Sequence, residues 1–175
     1  IQSGRQTRGI RLTVLALAVF ITIIVAGFVH RIQMPRILTD EEMKINGLYL
    51  LQTPRNFGQL ALLDHRGKPF DNASLQGKWT LVFFGFTYCP DICPTTMSFL
   101  NELMGQLDGT EAEDTQVVLV TVDPARDTVE QLAGYLPYFN PDFIGVTGEF
   151  LDIHRFATAL NTPFRKVMGE GDNYL

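Results

Sequence analysis

The chain has 175 residues, 46% of them apolar, which accommodates one membrane segment beside one globular domain of ordinary size. Arg5, Arg8, Arg11, Arg31 and Arg36 all precede the first carboxylate, Asp40, so the residues after Arg36 hold nine Lys and Arg against 19 Asp and Glu, a formal charge of −10. An acidic domain repels a phosphate backbone, whose capture rests on lysine and arginine, and nucleic acid is excluded as a partner.

From Leu12 to Val29 there are 18 residues without a charge, close to the ~20 that carry a helix across a bilayer. A cleaved signal peptide would have a shorter apolar core, ~7–15 residues, ending at small residues. Here Val29 is followed by His30, Arg31 and Ile32. The reading is therefore a transmembrane helix over 12–29, in contact with lipid, behind a cytoplasmic tail over 1–11. Three arginines before the span against two soon after it put the N-terminus inside. The remaining chain then faces the periplasm, or the equivalent side in an organelle, tethered to the cytoplasmic (inner) membrane. Residues 30–56, with Asp40, Glu41, Glu42 and Lys44, read as a spacer, and the folded domain is expected from 57 to 175. The start at Ile1, and a final Asp172-Asn173-Tyr174-Leu175 run that reads as a strand just beginning, lead us to expect that both ends are cut and that the domain lacks its C-terminal part.

Within the domain, Phe57–Leu63 reads as a strand, Asp64-His65-Arg66-Gly67 as a turn and Lys68-Pro69-Phe70 as the return of a hairpin. Thr80–Phe86 is apolar and rich in β-branched and aromatic residues, as suits a strand buried on both faces. Pro94 then opens a helix with Met97, Leu100, Leu103, Met104 and Leu107 on one stripe. Gln116–Val122 is a second buried strand; 128–136 is a helix with Asp127 as cap and Glu130 three residues on. Phe143–Val146 is a short strand, and Phe150, Ile153, Ala157 and Leu160 mark the apolar face of a last helix. Strands alternating with helices predict the α/β class, a central, mostly parallel sheet flanked by helices.

The only cysteines, Cys89 and Cys93, sit where the first buried strand hands over to a helix. A disulfide over so short a loop removes little unfolded-state entropy, so the pair is assigned to chemistry rather than to structure. The positive end of the helix favours a thiolate, and Cys93, just before Pro94, is the cysteine expected to benefit. Spacing does not choose between metal and redox work. Thiolates suit Cu(I), which accepts few ligands, whereas structural zinc is closed by four. The histidines offer little: His30 at the membrane edge reads as interfacial, His65 in a turn as solvated, and His154, on a helix between Ile153 and Arg155, as a poor candidate for a metal ligand.

Three stretches carry a resemblance that the cysteine spacing alone would not. Gly77 to Thr87 (GKWTLVFFGFT), Cys89 to Thr96 (CPDICPTT) and Val122 to Thr128 (VDPARDT) are similar to the Sco/SenC family of copper-delivery proteins, and the likeness runs from about Phe57 to Leu175. The resemblance implies a thioredoxin-like fold on one N-terminal membrane helix, acting as a chaperone that is not an enzyme in the strict sense. It implies copper, as Cu(I) or Cu(II), held by Cys89 and Cys93 with a histidine from a late loop, which would fall a few residues beyond Leu175. The implied partners are other copper carriers and the copper-bearing subunit of a respiratory cytochrome c oxidase. The alternative is a thiol-disulfide oxidoreductase in which Cys89 and Cys93 form a redox-active disulfide, acting on oxidase or other extracytoplasmic thiols.

Around the pair, two roles are open to Asp123 at the end of a strand: orienting a ligand or steering copper, or satisfying loop amides. Asp127 reads as a capping residue, and Asp91 as a solvated carboxylate near a helix start. Trp79, Phe83, Phe84 and Phe86 read as core, and Tyr88 as the aromatic that lines the site or a docking face. Pro90 and Pro94 fix the backbone around the sulfurs.

Overall fold

The computed structural model describes residues 3–33, 38–107, 109 and 113–165. It divides into two compact units, Ile1–Thr53 and Pro54–Leu175. In the first, helix α1 runs Ser3–Gln33, longer than the predicted 12–29, because its arginine-bearing first turns continue the same helix. Its stretch Ile10–Ile32, with mean hydropathy 2.8, is long and apolar enough to cross a membrane. Thr22 donates its hydroxyl to the Ala18 carbonyl, so this polar group is satisfied within the helix. The expected spacer contains a short helix α2, Asp40–Ile45, started by a capping box in which Thr39 and Glu42 bond each other's backbone.

The second unit is a five-stranded sheet between helices. Its strands are β1 (Leu62–Asp64), β2 (Pro69–Phe70), β3 (Trp79–Gly85), β4 (Thr115–Thr121) and β5 (Ile144–Thr147), in spatial order β2-β1-β5-β4-β3. β3, β4 and β5 are parallel, and the β1–β2 hairpin joins β5 antiparallel. Helix α3 (Ile92–Gln106) follows β3, α4 (Val129–Tyr135) follows β4 and α5 (Phe150–Ala159) follows β5. The α/β class is as expected, with the mixed sheet that a hairpin at one edge produces.

The period of two along the strands sorts the core. Val82, Phe84, Val118, Val120 and Val146 face one side with Ile153 and Phe156 of α5. Leu81, Phe83, Val117 and Leu119 face the other, with Met97 of α3 and Leu132 of α4. Phe84 meets Phe156 edge to face, centroids 5.7 Å apart.

Two expectations are corrected here. Phe57–Leu63 is a strand only from Leu62, because upstream the backbone bonds a side chain instead of a ladder: Asn72 donates to the Gly58 carbonyl (2.7 Å) and accepts from Leu60 N–H (2.8 Å). Trp79 is not core. It is 78% exposed at the first position of edge strand β3, beyond both apolar clusters.

Candidate functional site

At the carboxyl ends of β3 and β4, Gly85 and Thr121 lie side by side, and the Val122 N–H donates to the Gly85 carbonyl (2.9 Å). The loop that leaves β3 carries Thr87, Tyr88, Cys89 and Pro90, then enters α3 with Asp91 as N-cap. Asp91 makes no side-chain cap bond. The acceptor at this helix start is the Cys89 sulfur, which takes the Cys93 N–H at 3.4 Å, the role a capping oxygen usually fills. Pro94, next in the first turn, lacks a donor where helices leave donors unpaired.

This geometry assigns the two thiols differently from the sequence expectation. Burial raises the Cys89 thiol, but hydrogen bonds from the Cys93 thiol and from the backbone at Cys93, Asp91 and Ile92 outweigh it and hold it below the ordinary cysteine value. Cys93, 5% exposed, is pushed up to about 12 by burial, by its hydrogen bond with Cys89 and by the Cys89 and Asp127 charges, against a backbone bond from Phe86. The thiolate favoured by the helix start is therefore Cys89, not Cys93, because the sulfur four residues upstream points back at the free N–H while Cys93 points into the core. Both cysteines are free thiols.

Gly85 is required by close approach: a Cβ there would stand 2.7 Å from a ring carbon of Phe83 and 3.2 Å from Cys93 Sγ. Asp127 is fully buried and grips the loop from outside, accepting from Thr87 N–H (3.0 Å), Thr87 hydroxyl (2.6 Å) and Thr121 hydroxyl (2.6 Å). It is not the helix cap. That is Thr128, whose hydroxyl accepts from Gln131 N–H. Asp123 is buried to 7% exposure, its N–H donates to the Thr121 hydroxyl, and its carboxylate pairs with Arg126. The Arg126 guanidinium lies 4.9 Å from the Tyr88 ring centroid and 5.8 Å from that of Phe86, so Asp123 reaches the cysteine loop through a cation–π contact. Tyr88 and Ile92 are exposed beside the sulfurs.

The Cys89 sulfur lies 3.4 Å from the Cys93 backbone nitrogen, and the two thiols on this short loop form a soft donor pair that suits a low-coordinate copper ion. Among the described residues no group of three His, Cys, Asp or Glu converges as a metal site. His65 Nδ1 accepts from Gly145 N–H at 3.1 Å, so it is an anchored rather than a solvated turn histidine, and His154 packs between Phe150 and Phe164. His30 lies in α1. The expected start of a strand at Asn173-Tyr174-Leu175 lies outside the described residues. An open cavity of about 1040 Å³ lies at the other end of the strands, lined by Lys78, Glu102, Gln116 and Asp142, and no residue of the cysteine loop lines it.

A family model described as SCO1/SenC matches residues 51–175. The chain belongs to the SCO1/SenC family. A putative copper-binding protein of Stutzerimonas stutzeri is 44% identical over 133 residues, 75% of this chain and 65% of that one, so the chain spans just under two thirds of this relative. The copper-bound structure of Bradyrhizobium japonicum ScoI superposes with a TM-score of 0.62 at 35% identity, covering 67% of this chain and 74% of that one. A structure of BsSco, described by a disulfide switch and as a member of the Sco family of cytochrome c oxidase assembly proteins, has a TM-score of 0.55 at 25% identity over 64% of this chain and 68% of its own. The fold is accordingly the thioredoxin-like one. Residues 79–128, which build the sulfur loop and its carboxylate support, fall wholly inside the matched region.

Sequence reasoning missed Thr87, Thr121 and Gly85, and gave Asp127 a different part. A threonine closing an apolar strand, and an aspartate three residues after Pro124, were the available signals, but their meeting across 40 residues is a tertiary event.

Proposed function

We propose that the chain is a membrane-anchored copper carrier that holds copper on Cys89, Cys93 and a histidine beyond Leu175, and delivers it to the copper-bearing subunit of a cytochrome c oxidase during assembly. The observation that carries this reading is the thiol pair itself: two free thiols four residues apart at a strand-to-helix junction, with the Cys89 sulfur held 3.4 Å from the Cys93 backbone nitrogen. A two-thiol site leaves coordination positions open, so an incoming ligand binds before an outgoing one leaves. Family membership and the copper-bound ScoI relative support it. The Ile10–Ile32 stretch supplies the anchor, and the arginines before it keep the N-terminus inside, with the sulfur-bearing unit on the periplasmic or equivalent side. Exposed Tyr88 and Ile92 flank the sulfurs as a docking face.

A second reading, thiol-disulfide exchange, is favoured by the inequality of the thiols: Cys89, partly exposed and acidified, is placed to attack, and buried Cys93 to resolve. The BsSco relative supports it. The Cys-x-x-x-Cys gap, one residue longer than the usual redox motif, counts against it.

The deciding experiment titrates Cu(I) into the reduced protein and into Cys89→Ala/Cys93→Ala, counting bound metal and free thiols. One tight equivalent, lost in the double variant, is the outcome expected of a carrier. Copper that does not stay bound against a competing chelator, together with ready exchange of a Cys89–Cys93 disulfide, establishes the oxidoreductase instead.

A further inference from the structure

The loop after β4 grips three consecutive residues of the cysteine loop with two neighbouring side chains. Its backbone is a tight turn: the Arg126 and Asp127 N–H groups donate to the Asp123 carbonyl (3.1 and 2.9 Å), and the Arg126 carbonyl accepts from Thr128 N–H (3.1 Å). Asp127 takes Thr87 by its N–H and its hydroxyl. Arg126 takes the residues on either side, its guanidinium carbon 5.8 Å from the Phe86 ring centroid and 4.9 Å from that of Tyr88. Cys89 is the next residue along.

Tyr88 is 54% exposed and belongs to neither apolar cluster, so packing in the core does not fix its ring. The guanidinium over the ring does. Its own place is set by the Asp123 carboxylate, which pairs with Nε and leaves the rest of the planar group to the rings. The Arg126 side chain is itself only 29% exposed, and a cation–π contact gains strength as water is withdrawn from it. A neutral side chain in its place would still bond the carboxylate but would not attract the rings.

We propose that Arg126 is a positioning residue for copper binding: by clamping Tyr88 and Phe86 it fixes the backbone on which Cys89 stands, so that the site is ordered before the metal arrives. The proposal rests on the reading that Cys89 and Cys93 hold copper. The loop's own backbone bond, from Cys89 N–H to the Phe86 carbonyl, is long at 3.3 Å, so this stretch takes its order from outside. A site arranged in advance loses less freedom on binding, and its affinity is higher for that reason. Arg126 acts here through Tyr88.

The test measures Cu(I) affinity by chelator competition on the reduced full chain, at a temperature well below the melting of every variant. Arg126→Gln and Tyr88→Leu are each expected to take up one equivalent with an affinity about three- to tenfold lower, the range of one partly shielded cation–π contact. The double variant should be no weaker than the weaker single one, because both substitutions remove the same link. Tyr88→Phe keeps the ring and should bind like wild type. So should Arg155→Gln, which alters another arginine paired with an aspartate three residues before it, on α5. Unchanged affinity in Arg126→Gln, whatever its melting temperature, overturns the proposal, since the arginine would then serve folding alone. So do losses that multiply in the double variant, which would mean that the two side chains act separately. A loss in Tyr88→Phe equal to that in Tyr88→Leu also overturns it, by assigning the effect to the hydroxyl. Wild type that binds no copper overturns both this proposal and the reading beneath it, a failure told apart by its presence before any substitution.

Discussion

The two ends of the parallel strands differ in the kind of polar group they bury. At the carboxyl ends of β3 and β4, two carboxylates, Asp123 and Asp127, are 7% and 0% exposed, and both serve the sulfur loop, one through Arg126 and Tyr88 and one through Thr87. At the amino ends no carboxylate among the described residues is so deeply buried: half-buried Asp64 accepts from the Arg66 and Lys68 N–H groups, Gln116 Nε2 donates to the Ser74 carbonyl and the Thr80 hydroxyl, and Gly145 N–H donates to His65. Burying charge is expensive unless it is fully bonded. Its concentration at one end, where α/β sheets place their sites, teaches that the loop bearing Cys89 is held chiefly from its neighbour rather than by bonds of its own. Its internal backbone contact is the long Cys89 N–H to Phe86 carbonyl bond, 3.3 Å. The loop after β4 is dense by comparison, with Arg126 and Asp127 N–H groups both donating to the Asp123 carbonyl.

The largest effect is expected from removing that external hold. Asp127→Ala leaves the Thr87 N–H and the Thr87 and Thr121 hydroxyls without their shared acceptor, and should cost about 3 kcal/mol or more of folding stability by urea denaturation. Asp127→Asn, which keeps one acceptor oxygen, should fall between. A loss below about 1 kcal/mol in Asp127→Ala would mean that the loop holds itself, and the contrast between the two ends would fail.

The difference between the ends was only partly legible in the sequence. The apolar runs 80–86 and 116–122 announced β3 and β4 within one residue, because strands buried on both faces need no alternation, and they placed the cysteines at a strand-to-helix junction. The sequence reading made Asp127 the cap of this helix; the approach of Thr87 from another loop turns Asp127 inward and leaves the cap to Thr128. The choice of activated cysteine was equally hidden, since it depends on which sulfur points at the free N–H of Cys93.

A middle-sized effect comes from a matched pair of glycines, one at each end. Gly85→Ala would press on Phe83 and Cys93 Sγ, and Gly145→Ala on Leu136 and Leu132, each with a contact of 2.7 Å to relieve. Both should lose about 1–3 kcal/mol, the usual cost of overpacking. Only Gly85→Ala should also change the alkylation rate of Cys93 and the affinity for Cu(I). If Gly145→Ala alters these as strongly, the two ends are mechanically coupled through the sheet.

The smallest effect is a pH dependence confined to the far end. Burial, and then the Arg66 charge, lower His65 below its ordinary value of 6.5, outweighing the Asp64 charge, which raises it. The unfolded chain then binds this proton more readily than the folded one, so the stability contributed by neutral His65 is present above about pH 6.5 and is lost as pH falls through that value toward the lower folded one. His65→Gln keeps an acceptor for Gly145 N–H but cannot titrate. The urea midpoint of wild type relative to this variant should therefore drop between pH 7.5 and 5, while the copper stoichiometry of the two at pH 7.5 stays equal. A midpoint difference that is flat across this range would return His65 to the solvated role its turn sequence first implied. A difference that also tracked copper binding would show that the far end of the sheet is not independent of the sulfurs.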